Sequence, residues 1–216
     1  MRFLKDNWIF VVLMVIWIIC ILPFLALYSK ADIHLYLNQW HSPFGDTFFK
    51  YATYLGDGLV GGIVILLLIL FQFRSAVATI IAFLGSAIFT QLLKRFVFDD
   101  HFRPSKFFEN IAELHLIDGV NMHSHFSFPS GHSTAAFSLF CMLTFISKPK
   151  LLKVAFMLSA ITAAYSRVYL SQHFLEDIYV GSIIGSTFAI ISFQFFETKT
   201  WGETGLIAWV EQKLKS

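Results

Sequence analysis

Long apolar runs separated by short charged islands make up most of the chain. Between Asp6 and Lys30 stand 23 uncharged residues, enough for a helix rising about 1.5 Å per residue to cross a hydrocarbon layer of roughly 30 Å. Further uncharged stretches run over 58–73, 75–93, 131–147 and 178–196. A stretch from about Leu151 to Tyr169 is uncharged over 154–166. It has Lys153 and Arg167 near its ends, where long side chains snorkel to the interface. The pattern predicts an all-α, polytopic membrane protein with six transmembrane helices in a single domain over 1–216. Arg2 and Lys5 precede the first run as in a signal peptide, but the run is long and no A-x-A site follows it. It therefore reads as an uncleaved anchor.

The remainder is short loops and two longer ones, 30–57 and 94–130. In the second, Phe107, Phe108, Ile111, Leu114 and Ile117 recur at helical spacing, with Lys106, Glu109, Glu113 and Asp118 around the other face. This predicts an interfacial helix between the third and fourth spans, or a loop helix packed onto its neighbours. In the first, Trp40, Phe44, Phe48, Phe49, Tyr51 and Tyr54 read as an aromatic belt.

An even number of spans puts both termini on one side. Nine of the 16 basic residues fall on that side: Arg2, Lys5, Arg74, Lys148, Lys150, Lys153, Lys199, Lys213 and Lys215. The short loops at Arg74 and at 148–153 weigh most in orientation, so the termini are expected in the cytoplasm and the long loops outside.

Composition narrows the class further. Charged residues are only 14% of the chain, where a soluble domain has about 25%. Hydrophobic residues are 56% and the mean hydropathy is +0.67, which excludes a soluble globule, disorder and a coiled coil. A net charge of +2 from 16 basic and 14 acidic residues leaves no footprint for nucleic acid. Cys20 and Cys141 both lie in apolar runs, so neither a disulfide framework nor a CxxC site is expected.

Several polar residues at the outer ends of the predicted spans need a reason beyond anchoring. Lys94, Arg103 and Arg167 are three cations. Pro129-Ser130-Gly131-His132 opens a helix, whose N-terminal N–H groups attract an anion. Together they suit a phosphate, with Ser130 as N-cap or donor and Gly131 allowing close approach. His173 and Asp177 stand four apart, on one helical face. A carboxylate there can hold one ring nitrogen and leave the other free to attack. His132 is placed to protonate a leaving alkoxide and then to activate water. His34, His41, His101, His115, His123 and His125 read as interfacial aromatics. His123 and His125 lack a third metal ligand at a recognisable spacing.

These residues resemble the membrane-bound type 2 phosphatidic acid phosphatases, the PAP2 superfamily that also contains the vanadium haloperoxidases. Its PSGH motif is present as residues 129–132, and its SR, five residues, H, three residues, D motif as Ser166-Arg167, His173 and Asp177. The first motif, Lys, six residues, Arg-Pro, is present as Arg103-Pro104, but eight residues separate Lys94 from Arg103 and seven separate Arg95 from it. Lys94 is favoured for the lysine role, with the extra residues absorbed in the loop from Phe98 to Phe102.

The resemblance implies that His173 attacks phosphorus, Asp177 orients it and His132 protonates the leaving group. Lys94, Arg103, Ser130, Gly131 and Arg167 hold the phosphate, without a divalent metal or other cofactor. It further implies a lipid phosphate as substrate and partner. Undecaprenyl diphosphate, phosphatidylglycerophosphate, phosphatidate and lipid A are the candidates. The alternatives are a lipid phosphotransferase of the same fold and a non-catalytic lipid-binding or transport protein.

Overall fold

The computed structural model describes residues 2–215, and the described chain is helical, without strands. Its helices are α1 (Arg2–Asp6), α2 (Trp8–Leu27), α3 (Lys30–Asn38), α4 (Pro43–Ala52), α5 (Gly58–Phe71), α6 (Phe73–Phe96), α7 (Pro104–Phe107), α8 (Gly131–Ile146), α9 (Lys150–Tyr169), α10 (Leu175–Glu197) and α11 (Leu206–Lys215). A 3-10 turn, Thr53–Gly56, joins α4 to α5.

Among the described residues four helices are long and apolar enough to cross a membrane: α2, α6, α9 and α10. A fifth candidate is the pair Pro43–Gly56 and Gly58–Phe71, bent by 51°. Helix α8 is apolar but has only 16 residues, about 24 Å of helix. The apolar runs were therefore read correctly as helices, but two of the six expected spans fall short of spanning length when taken alone. The side chains of Arg2 and Lys215, both used in the orientation count, lie outside the described residues.

Helix α8 sits at the centre and packs on α6, α9 and α10. Its contact with α10 depends on two glycines four apart, the small-residue spacing that lets membrane helices approach closely. A Cβ on Gly181 would lie 2.7 Å from the Ser130 carbonyl, and one on Gly185 would lie 2.3 Å from the Thr134 carbonyl. The interior between these helices is filled by Phe137, Cys141, Met142, Met157 and Ile178.

The loop 30–57 is more regular than expected. Ser29 caps α3 by accepting from Asp32 N at 3.2 Å, and Ser42 caps α4 by accepting from Gly45 N at 3.1 Å. The aromatic residues Trp40, Phe44, Phe48, Tyr51 and Tyr54 are exposed, whereas Phe49 turns inward onto Tyr165 and Tyr169.

Two expectations are corrected. The interfacial helix over 107–117 does not form: α7 is one turn, followed by turns and irregular chain. Phe108 is buried against His34 and Phe174, with ring centroids 5.7 and 6.2 Å away, so the aromatic pair points into the protein rather than along a membrane surface. Lys153 does not snorkel either. It is buried and donates to Asp6 O at 2.9 Å and Asn7 Oδ1 at 3.1 Å, tying the start of α9 to the start of α2.

Candidate active site

The site forms where α6, α8, α9 and α10 end on the same face, starting with the loop between α9 and α10. Its backbone closes back on α9: Gln172 N and His173 N both donate to Arg167 O, at 2.9 and 3.1 Å. Ser171 makes this return in the left-handed region, φ 51°, a conformation unusual outside glycine and asparagine. The Ser171 hydroxyl holds it there, against His34 Nε2 at 3.1 Å and Asn38 Nδ2 at 3.3 Å. His34 was expected at the membrane interface. Instead it is buried behind this loop, and burial lowers its pKa to about 4, which keeps the ring neutral.

His173 emerges from the loop with its Nδ1 3.1 Å from Asp177 Oδ2, and both side chains are 1% exposed. The carboxylate fixes the tautomer: Nδ1–H donates, and Nε2 keeps its lone pair. Asp177 is itself immobilised. Its Oδ2 also accepts from Phe174 N at 2.9 Å, in the manner of a capping residue, and from Ser127 Oγ at 2.5 Å. The Asp177 carbonyl accepts from Ser130 N at 3.0 Å, which joins the start of α8 to the first turn of α10.

Ser130 is the N-cap of α8 and accepts from Ser133 N at 3.3 Å. Gly131 faces open space, with no atom within 4 Å of where a Cβ would stand. The 3-10 turn packs on His132, where a Cβ on Gly56 would lie 2.8 Å from the His132 carbonyl.

The three cations converge from different elements. Lys94, in the last turn of α6, is 5% exposed and donates to Phe126 O at 2.9 Å. Phe126 adopts a left-handed φ of 56°, a strained conformation for a bulky residue. Arg95 points outward and is exposed. The helix ends at Phe96, so the extra residues before Arg103 lie outside it.

Arg103 donates through Nε to His125 O at 3.0 Å, and its N–H donates to Ser124 O at 2.9 Å. Arg167 donates to Thr53 Oγ1 at 2.6 Å. The two guanidinium groups share one acceptor, Gln172 Oε1, at 3.2 Å from Arg103 and 3.4 Å from Arg167. Gln172 Nε2 is fixed in turn by Asn121 O at 3.0 Å.

Burial first, then the charges of Arg103, Lys94, Arg167 and His132, hold the His173 pKa well below the ordinary 6.5. Four of the groups singled out from sequence, Arg103, Lys94, Arg167 and His132, thus act on one imidazole. Gln172, Ser127, Thr53, Ser171, His34 and Asn38 were missed. Gln172 and Ser171 lie inside a motif whose fixed letters skip them, and the others come from distant segments. The one signal available was the Gly181 and Gly185 spacing, which marks the α8 contact.

A buried imidazole and carboxylate ringed by three cations, held at the ends of apolar helices, define a membrane protein equipped to bind and transfer a phosphoryl group. The chain belongs to the PAP2 superfamily, which residues 72–201 match. It is 30% identical over 160 residues to the lipid A 4'-phosphatase of Bacteroides thetaiotaomicron, covering 72% of this chain and 71% of that protein. Among solved structures, LpxE of Aquifex aeolicus is 29% identical with a TM-score of 0.64, over 76% of this chain and 93% of its own. The PAP2-type phosphatidylglycerolphosphate phosphatase of Bacillus subtilis is 20% identical and shares the fold, with a TM-score of 0.66 over 88% of this chain and 98% of its own. The chain is a multi-pass membrane lipid phosphatase, a hydrolase of phosphoric monoesters or diphosphates.

Proposed function

We propose that the protein removes a phosphoryl group from a lipid headgroup at the outer face of the cell membrane, through a phosphohistidine intermediate. The likeness to a lipid A 4'-phosphatase puts the phosphate monoesters of lipid A ahead of undecaprenyl diphosphate, phosphatidylglycerophosphate and phosphatidate. The observation that supports this reading is the buried His173–Asp177 pair, 3.1 Å apart and in the field of Lys94, Arg103 and Arg167.

In the first step His173 Nε2 bonds to phosphorus as the bond to the lipid oxygen breaks, and His132 gives its proton to the departing alkoxide. In the second, water loses a proton to His132 and attacks phosphorus. The N–P bond breaks, releasing phosphate and restoring neutral His173. Lys94, Arg103 and Arg167, with the N–H group at Gly131, neutralise the charge on the equatorial oxygens. The Ser130 N–H is engaged by Asp177 O, so in this scheme the serine acts chiefly as the cap that orients the first turn of α8.

Six crossings remain the proposed topology. Helix α5, extended outward by the bent segment Pro43–Gly56, makes the second, and α8, surrounded by α6, α9 and α10, makes the fourth. Lys153 bonds to Asp6 and Asn7, and Arg74 to the Lys199 carbonyl and Glu203, at the end of the bundle away from the site. With the termini in the cytoplasm, the site opens on the extracytoplasmic side. Phosphate release from purified protein across the four candidate lipids, with water-soluble phosphate esters as controls, tests the function. Release from one lipid class is expected, and transfer of phosphate to an added acceptor lipid without release would instead mark a transferase.

Gln172 gives a finer test. Gln172→Leu leaves the Arg103 and Arg167 guanidinium groups without their shared acceptor. Loss of a charge-assisted bond of this kind is expected to lower kcat/KM about 10- to 100-fold. Wild-type kinetics in this variant would remove Gln172 from the account of the cation cradle.

A further inference from the structure

A cleft of about 800 Å³ opens beside the phosphate cradle, with Lys94 and Arg103 on the inner wall and Arg95, His123 and His125 among the other residues lining it. Its charged lining is three cations against one carboxylate, Asp99. Lys94 and Arg103 face both the cleft and the His173 pair, and Arg167 completes that cradle. Arg95 does not belong to it. One residue along α6 from Lys94, it is turned about 100° around the helix axis, so its guanidinium is exposed while Lys94 is buried.

Among the described residues the side chains of Arg95, His123 and His125 make no hydrogen bond or ion pair. The His125 ring is nonetheless held, edge-on to Phe102 at 5.1 Å. Partial burial, and then the charges of Arg103, Arg167 and Lys94, keep the His123 imidazole below its ordinary pKa range, so a neutral ring offers an N–H donor to the cleft. A single phosphoryl group bound in the cradle would leave these donors without an anion.

We propose that this cleft is a second anion subsite, in which Arg95, His123 and His125 bind a further phosphoryl group on the lipid headgroup. The inference rests on the phosphatase reading and deepens it: the preferred substrate carries two phosphoryl groups. These are either adjacent in a diphosphate or separated on a phosphorylated saccharide. Arg95 is the discriminating contact, because arginine grips a phosphate through two parallel N–H bonds.

The test uses the full-length protein with His173→Ala, which cannot turn over, titrated by calorimetry with orthophosphate, pyrophosphate and a soluble disaccharide bisphosphate. Adding Arg95→Gln is expected to weaken pyrophosphate or the disaccharide bisphosphate about tenfold while orthophosphate stays within about twofold, in line with one charge-assisted contact. Which of the two is weakened identifies the source of the second phosphoryl group. If neither is weakened, or if orthophosphate weakens equally, the subsite is overturned. Phosphate release by the wild-type protein is measured separately. Its absence would overturn the phosphatase reading, whereas the binding series decides the cleft on its own.

Discussion

His173→Ala is expected to abolish phosphate release, by about 10⁴-fold or more as for other enzymes that lose a nucleophile. The protein should remain folded in the membrane. Beyond a cavity at the substituted ring, the direct structural loss is one of the three bonds to Asp177 Oδ2, since Phe174 N and Ser127 Oγ still hold that oxygen. A covalent intermediate makes the prediction sharper: a rapidly quenched wild-type reaction should contain acid-labile, protein-bound phosphate, and the variant none. Unchanged release from His173→Ala would end the proposed mechanism.

The same residue sets the pH dependence. Only the neutral ring has a lone pair for attack. Its pKa lies well below 6.5 because of burial and then of Arg103, Lys94 and Arg167. The neutral form therefore persists as the pH falls through 6.5, and the acid limb of kcat/KM is expected below that value. A limb at or above it would contradict the placement of His173 in the field of the cations.

The second large effect is expected at Gly185. Even a methyl group there would lie 2.3 Å from the Thr134 carbonyl, 2.8 Å from Ser138 N and 3.0 Å from Phe137 Cβ. Two of these are backbone atoms of α8, which cannot swing aside as a side chain can. Gly185→Leu should therefore force α10 away from α8, costing at least the 1–3 kcal/mol typical of overpacking. The Ser130 N to Asp177 O bond that joins the two helix starts would be lost with it. A lower unfolding midpoint in detergent and at least a 100-fold loss of phosphate release are expected, the latter from misplacing His132 relative to His173. Gly62→Ala is the control, because nothing lies within 4 Å of a Cβ at Gly62, and it should be near neutral on both measures. Wild-type stability in Gly185→Leu would mean that the two helices are not in contact.

Much of the site was legible because its chemistry is local in sequence. His173 and Asp177 face each other through a four-residue helical spacing, and Ser130 caps α8 as its place before the apolar run suggested. The choice between Lys94 and Arg95 could not be read from spacing, since both lie off the usual interval. Helix rotation separates the two: consecutive residues point about 100° apart, and Lys94 turns inward while Arg95 is exposed. The failed helix at 107–117 has a related cause. Apolar residues at helical intervals mark a helix only if they share one face, whereas Phe108 is buried against His34 and Phe174 and Ile111 is exposed.

The sequence alone determined the all-helical membrane class, since apolar run length and charge scarcity are properties of the chain itself. It also singled out the candidate site residues His132, His173 and Asp177 and the cations Lys94, Arg103 and Arg167. Tertiary structure decided which groups hold them. Gln172 bridges two arginines that are 64 positions apart, Ser127 reaches Asp177 across 50 residues, and His34 braces Ser171 across 137. A hydrogen bond depends on distance in space rather than along the chain, so these partners emerged only once close packing of α8 and α10 had brought the helix ends together.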